Sequence, residues 1–234
     1  MKTAIVTGAS SGIGFEIAKK LISMKYKVYG IGRDFSKIDF NDSNFIKFQC
    51  DINKTSKLVE IINNIKNQEE VYILVNNAGV GYFGPHEELN SKKIHEMVST
   101  NLEVPMILCQ LLLRTLKKTK GYIINVSSIT AKMSSTYGCA YSATKAGISH
   151  FTESLFDETR KTGIKVITIH PDMTESNFYR NANFETGDLE DSFITPMCVA
   201  DVVESILNQR EGTVITDVTI KPQKHMIKRK KPSL

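Results

Sequence analysis

Thr7-Gly8-Ala9-Ser10-Ser11-Gly12-Ile13-Gly14 is the stretch on which the fold turns. It follows a short β-branched run at 3–7 and leads into a segment of helical period at 13–24. Glycines and small residues in a strand-to-helix turn let the backbone come close to whatever sits on it. The first N–H groups of the helix have no partner within it, and they point outward with the positive end of the helix dipole. A diphosphate suits that place. The spacing is G-x-x-x-G-x-G rather than G-x-G-x-x-G, so the rest of the chain has to carry the dinucleotide reading.

Working outward, apolar β-branched runs recur at 27–31, 45–49, 71–75, 122–126, 165–169 and 213–220. Helical periods lie between them at 54–66, 91–117, 141–161 and 199–209. Strands joined by helical crossovers make parallel neighbours, so the pattern predicts an α/β fold: a Rossmann-type doubly wound sheet of about seven parallel strands with helices on both faces. Two segments break the rhythm. Residues 33–44 leave little room for a helix, and 173–196 form a long polar segment carrying Phe178, Tyr179, Phe184 and Phe193, of a length that usually covers a site. The reading is one domain over 1–222, holding both cofactor and substrate sites, and a basic C-terminal tail at 223–234.

Composition narrows the function classes. Hydrophobic residues at 41% and charged residues at 24% exclude a disordered or fibrous chain. The net charge of +5 is concentrated near the C-terminus in Lys221, Lys224, Lys228, Arg229, Lys230 and Lys231, and it is read as a solvated tail. With no interleaved aromatics it argues against a nucleic-acid partner. Cys50, Cys109, Cys139 and Cys198 are far apart and form no metal-binding spacing; buried thiols in a reducing, cytoplasmic setting are expected, and no metal. No apolar run approaches the roughly 20 residues of a membrane span, so no membrane partner is expected. The five histidines are scattered, and Ser128 lacks the G-x-S-x-G elbow of a hydrolase.

The end of the second strand reads Gly30-Ile31-Gly32-Arg33-Asp34. In doubly wound sheets this tip faces the adenosine ribose, where an acid bonds a free 2′-hydroxyl and a cation accommodates a 2′-phosphate. Gly32 followed by Arg33 favours NADP over NAD, with Asp34 able to weaken the preference.

Tyr141 and Lys145 stand at i and i+4, on one face of a helix. Asn125-Val126-Ser127-Ser128 brings a serine to the end of the fifth strand, the edge at which open α/β sheets bind ligands. Together they suit hydride transfer to a carbonyl, which builds an alkoxide needing a proton. Tyr141 would supply it, Lys145 would lower the phenol's pKa toward neutrality and hold ribose hydroxyls, and Ser128 would orient the substrate oxygen. Asn101 would hold a water linking Lys145 to solvent.

With these residues in place the chain resembles the short-chain dehydrogenase/reductase family in its single-domain branch. The resemblance rests on T-G-x-x-x-G-x-G at 7–14, Asn76-Asn77-Ala78-Gly79, Asn101, Ser128, and Y-x-x-x-K from Tyr141 to Lys145, with the serine 13 positions before the tyrosine. It implies a catalytic tetrad of Asn101, Ser128, Tyr141 and Lys145. It implies cofactor contacts from Gly8, Ser10, Ser11, Gly12, Ile13 and Gly14, from Arg33, Asp51 and Ile52, from Asn77, Ala78 and Gly79, and from Tyr141, Lys145, Pro171 and Ser176. Asp51 and Ile52 would lie on the adenine, and Asn76 would steady the central strand. A homodimer or homotetramer on the two long helices is also implied. The family's Pro-Gly after the sixth strand is Pro171-Asp172 here, followed by Thr174 and Ser176; Ile169 and Ser176 are chosen for nicotinamide contact. Met133, Tyr137, Tyr82, Phe178 and Tyr179 are expected to build a pocket for a small-molecule carbonyl or alcohol, possible substrates being a 3-hydroxy or 3-oxo acid or acyl thioester. The rival reading is a binding protein that senses NADP without turnover.

Overall fold

Two inner strands, β1 (Thr3–Thr7) and β5 (Tyr122–Val126), are buried at every position, as strands covered on both faces must be. The computed structural model describes residues 1–230. Around these two lie β2 (Lys27–Gly32), β3 (Phe45–Gln49), β4 (Val71–Asn76), β6 (Lys165–Pro171) and β8 (Asp217–Ile220), after a short β7 (Phe184–Thr186). The main sheet runs β3-β2-β1-β4-β5-β6-β8, and every pairing in it is parallel. Strand order reverses between β1 and β4, which opens a crevice beyond the carboxyl ends of the strands.

Alternate side chains of β1 serve two cores. Ala4 and Val6 meet Ile17 and Leu21 of α1 (Gly12–Ser23) and Val199 and Val203 of α6 (Pro196–Leu207). Ile5 faces the other way, into the core built by Leu58 and Ile62 of α2 (Thr55–Gln68), Leu108 and Leu112 of α4 (Val104–Thr119) and Leu155 of α5 (Cys139–Thr159). Among the described residues no helix is long and apolar enough to cross a membrane.

The single helix expected over 91–117 is instead α3 (Ser91–Val98), a π-helical turn at Ser99–Glu103, and α4. Pro105 explains the break. It has no N–H to give to the carbonyl of Asn101, so the α ladder cannot run through, and the Val104 N–H bonds the Ser99 carbonyl five residues back. Residues 33–44 hold no helix. Asp34 turns its carboxylate onto its own loop, accepting from the Ser36 N–H at 2.8 Å. The last strand of the sheet is shorter than expected, pairing only from Asp217 to Ile220.

The C-terminal segment differs from the expected free tail. Residues 231–234, including Lys231, lie outside the described residues, but β9 (Ile227–Arg229) pairs antiparallel with β7. Its side chains are exposed while its backbone is bonded. Lys230 donates to the Tyr179 carbonyl, and Lys228 reaches Asp188 at 2.7 Å. Cys50 and Cys109 are buried as expected; Cys139, by contrast, is exposed at the start of α5.

Candidate active site

At the first turn Gly8 (φ +67°) and Gly12 (φ +54°) occupy the left-handed region, where glycine costs least. Ser11 caps α1 with extended backbone but makes no side-chain cap bond, and the first turn contains no acid. Its N–H groups are therefore left to the cleft, a donor set that fits a diphosphate. The ends of β1 and β4 are stitched together by Thr7, whose Oγ1 accepts from Asn77 N and Ala78 N at 3.1 Å each. Asn76 links β4 to β5, donating to Asn125 Oδ1 at 2.8 Å.

One cleft of about 220 Å³ runs from this turn to the end of β5. It is lined by Gly8, Ser10, Ser11, Gly12 and Ile13, by Gly32, Arg33, Asp51 and Ile52, and by Asn77, Ala78 and Gly79. At its far end stand Ser128, Tyr141, Lys145, Pro171 and Ser176. Of the expected cofactor contacts, Gly14 and Ile169 are not on its wall. A Cβ on Gly14 would run into Gly8 O and Asn77 Nδ2, so Gly14 lets helix and strand pack closely.

Lys145 is 4% exposed and donates from Nζ to the Val126 carbonyl at 3.0 Å. Burial pulls its ammonium down to about 8. The same ammonium lies 5.7 Å from the centre of the Tyr141 ring. Asn101, on the π turn, accepts from Val80 N and donates to Val80 O, both at 2.9 Å, and donates to Thr144 Oγ1 at 3.0 Å. A Cβ on Gly79 would stand 3.5 Å from both Asn101 Oδ1 and Lys145 Nζ, so the two groups flank one glycine. Asn101 therefore clamps the strand-end segment, and its amide is engaged with protein partners.

Tyr141 is 7% exposed beneath aromatic rings. Phe83 and Phe178 lie 5.3 Å and 5.6 Å from it, Phe184 is 5.1 Å from Phe83, and Tyr179 is 5.4 Å from both Phe178 and Phe184. Burial is the largest influence on the phenol and pushes its pKa above the usual value. Tyr179 adds to the rise and the Ser128 hydroxyl opposes it. The expectation of a phenol lowered by Lys145 is thus reversed: burial is the largest influence on the phenol, and the Lys145 ammonium donates to Val126 instead.

A family model for short chain dehydrogenases matches residues 2–186. The chain belongs to the short-chain dehydrogenase family. Its members here include an NADP-dependent 3-hydroxy acid dehydrogenase of Schizosaccharomyces pombe, 29% identical over 94% of this chain and 92% of that one. A metagenomic short-chain oxidoreductase in complex with NADP is 28% identical, with a TM-score of 0.79 over 94% of this chain and 97% of its own. A short chain dehydrogenase of Leptospira borgpetersenii with bound NAD⁺ is 26% identical, with a TM-score of 0.83 over 95% and 92%. This short-chain dehydrogenase is accordingly an NAD(P)-dependent oxidoreductase acting on a small molecule.

Several substrate-side expectations need correction. Met133 and Tyr137 are 56% and 57% exposed and are not on the cleft wall. Tyr82 is not on the cleft wall, and its hydroxyl donates to Glu96 at 2.7 Å. Ile169 is fully buried in the core, leaving Ser176 on the wall. Phe178 and Tyr179 do line the cleft, and sequence reasoning missed Glu96, Asp172 and Arg180 beside them. Arg180 could have been found from the long polar segment already marked as a cover, since it is that segment's one arginine.

Proposed function

We propose that this dehydrogenase uses NADP(H) to interconvert a carbonyl and a secondary alcohol, with Tyr141 as general acid and base. The observation that carries the reading is the convergence of Tyr141, Lys145 and Ser128 at one end of a cleft whose other end is the uncapped α1 turn. When bound there, the nicotinamide supplies or takes the hydride. Tyr141 gives its phenolic proton to the substrate oxygen as charge develops, and Ser128 bonds the same oxygen. Lys145 holds ribose hydroxyls and, as a cation, favours the tyrosinate left behind. The aromatic cover excludes water and strengthens each of these interactions.

NADP is favoured over NAD by two cations. Arg33 and Arg180 both line the cleft, and neither forms an ion pair among the described residues. Asp34, bonded to its own loop, does not oppose them. Asn77, Ala78, Gly79, Asp51 and Ile52 complete the cofactor wall, and Pro171 and Ser176 face the nicotinamide. The apolar cover and the likeness to the fission-yeast enzyme put 3-oxo acids and 3-oxoacyl thioesters first among substrates. The long helices α4 and α5 are read as the faces of a homodimer or homotetramer.

The test is NADPH oxidation over a panel of 3-oxo acids, 3-oxoacyl thioesters, diketones and aldehydes, by wild type and Tyr141→Phe. Turnover lost on the order of 10²- to 10⁴-fold in the variant, at unchanged NADPH affinity, is expected. NADPH binding with no turnover anywhere on the panel would point instead to a sensor of the cofactor.

A further inference from the structure

His170, on β6, is a buried titratable side chain that the proposed reaction does not use; it is 1% exposed. Its Nδ1 lies 3.1 Å from the main-chain oxygen of Ser128, and its Nε2 lies 2.7 Å from Asp217 Oδ2 on β8. A carbonyl oxygen only accepts, so Nδ1 carries a proton and donates it. The carboxylate also accepts, so both contacts are made together by a ring with a proton on each nitrogen. Lys132 pairs with the other oxygen of Asp217 and donates to Thr219 Oγ1 at 2.9 Å. Asp217 is the charged group that bonds the ring, and Lys132 acts on it through Asp217. Burial raises the Asp217 pKa, but Lys132 and His170 outweigh it and leave the carboxyl below its usual range, ionised as the contact requires.

The other end of this chain of contacts is the point at which β5 stops. Ser128 is extended (φ −164°, ψ 158°), and its carbonyl takes a second bond from Ala131 N at 3.0 Å. Its Oγ accepts from Thr130 N at 3.2 Å and Thr130 Oγ1 at 3.0 Å. The side chain and the carbonyl branch from the same Cα, so holding the peptide plane beyond Ser128 holds its Cβ, and the Thr130 contacts then select the rotamer of the hydroxyl.

We propose that His170 is a positioning residue for Ser128: its Nδ1–H pins the Ser128 carbonyl from the neighbouring strand, and the Asp217 carboxylate, held by Lys132, anchors the ring at Nε2. The inference rests on Ser128 and Tyr141 being the groups that meet the substrate oxygen. The second partner of a histidine decides which ring nitrogen faces the first, and here that partner comes from the edge strand. Small errors in placing a reacting group are expensive, on the order of 10²-fold for about 1 Å.

Two amides divide the ring's contacts. His170→Asn places an N–H where Nδ1 was, within reach of Ser128 and out of reach of Asp217; His170→Gln does the reverse. The readouts are kcat and KM with the carbonyl compound turned over fastest by wild type, NADPH affinity by fluorescence, and thermal melting. His170→Gln is expected to lose roughly 10- to 100-fold in kcat with KM and NADPH affinity nearly unchanged. His170→Asn is expected to recover most of that loss. Asp217→Ala, at a half-exposed site that tolerates truncation, is expected to lose kcat severalfold and carries the test should His170→Gln not fold. Wild-type kcat in His170→Gln and Asp217→Ala, or an equal loss in the Asn and Gln variants, overturns the inference. Tyr141→Phe in the same assay keeps the two readings apart. Full turnover in that variant removes the proposed chemistry, whereas a dead Tyr141→Phe beside fully active His170 variants removes only the role of His170.

Discussion

Lys145 Nζ and the Val126 carbonyl are joined across 3.0 Å, so the one buried ammonium of the site is tied to the end of the strand that delivers Ser128. The tie does not offset its burial, which pulls the group from 10.5 to about 8. The unfolded chain keeps this proton up to about 10.5, so between 8 and 10 it binds more protons than the folded protein and stability rises with pH. Above about 10 the raised Tyr141 phenol acts with the opposite sign, since the folded state then retains the extra proton. Lys145→Met is expected to abolish turnover yet stabilise the cofactor-free protein at pH 7. The relieved shift is worth roughly 3 kcal/mol, offset by about 1 kcal/mol for the lost bond to Val126. Thermal melting of both proteins from pH 7 to 10 checks this; the gap should narrow as pH rises.

Arg33→Ala should weaken NADPH binding about 10- to 100-fold and leave NADH binding unchanged, the worth of a charge-assisted contact to a 2′-phosphate. Arg180→Ala should weaken NADPH as well, by a smaller factor, because its loop is held over the cleft by other contacts. Titrating both cofactors by fluorescence decides each case, and equal losses for NADH would move the arginines to the diphosphate.

Removing residues beyond Gln223 deletes β9 and frees β7 with Phe184, which packs on Phe83, one of the rings against Tyr141. Turnover is expected to fall while NADPH affinity holds, because the glycine turn and the tip of β2 are built from the first third of the chain. Steady-state kinetics beside cofactor titration separates the two effects.

Asn101→Ala leaves the Val80 N–H and carbonyl without their side-chain partners in a buried place. A loss of about 2 to 4 kcal/mol is expected from two such groups, with activity falling as the Gly79 segment loosens. Chemical denaturation measures the first and NADPH oxidation the second.

The main sheet was legible because β1, β2, β4, β5 and β6 are nearly continuous apolar runs, buried on both faces. The spacing from Ser128 to Tyr141 and Lys145 was legible because Ser128 follows the end of β5 while Tyr141 and Lys145 share the first two turns of α5, places that the strand and helix periods set. The β7–β9 ribbon was not, since three-residue strands paired across forty positions leave no period in either segment. The environment of Tyr141 was also hidden. It depends on Phe83 and Phe178 arriving from two distant segments, with Phe184 packed on Phe83, and the burial they help create reverses the expected direction of the phenol's pKa. His170 looked bland in the sequence because its partners, Ser128 and Asp217, are neighbours only through strand order.

The π turn at Ser99–Glu103 also constrains how this gene can change. Such a turn holds one residue more than the α-helix it interrupts. Deleting a codon there would remove the residue that the π turn accommodates while Pro105 still blocked the α ladder, so the backbone would have to rearrange around Asn101. Asn101 would swing off Val80 and Thr144. Substitution at the exposed Glu103 is tolerable, but a change of length is not, so this helical stretch should resist insertions and deletions as strictly as the glycine turn.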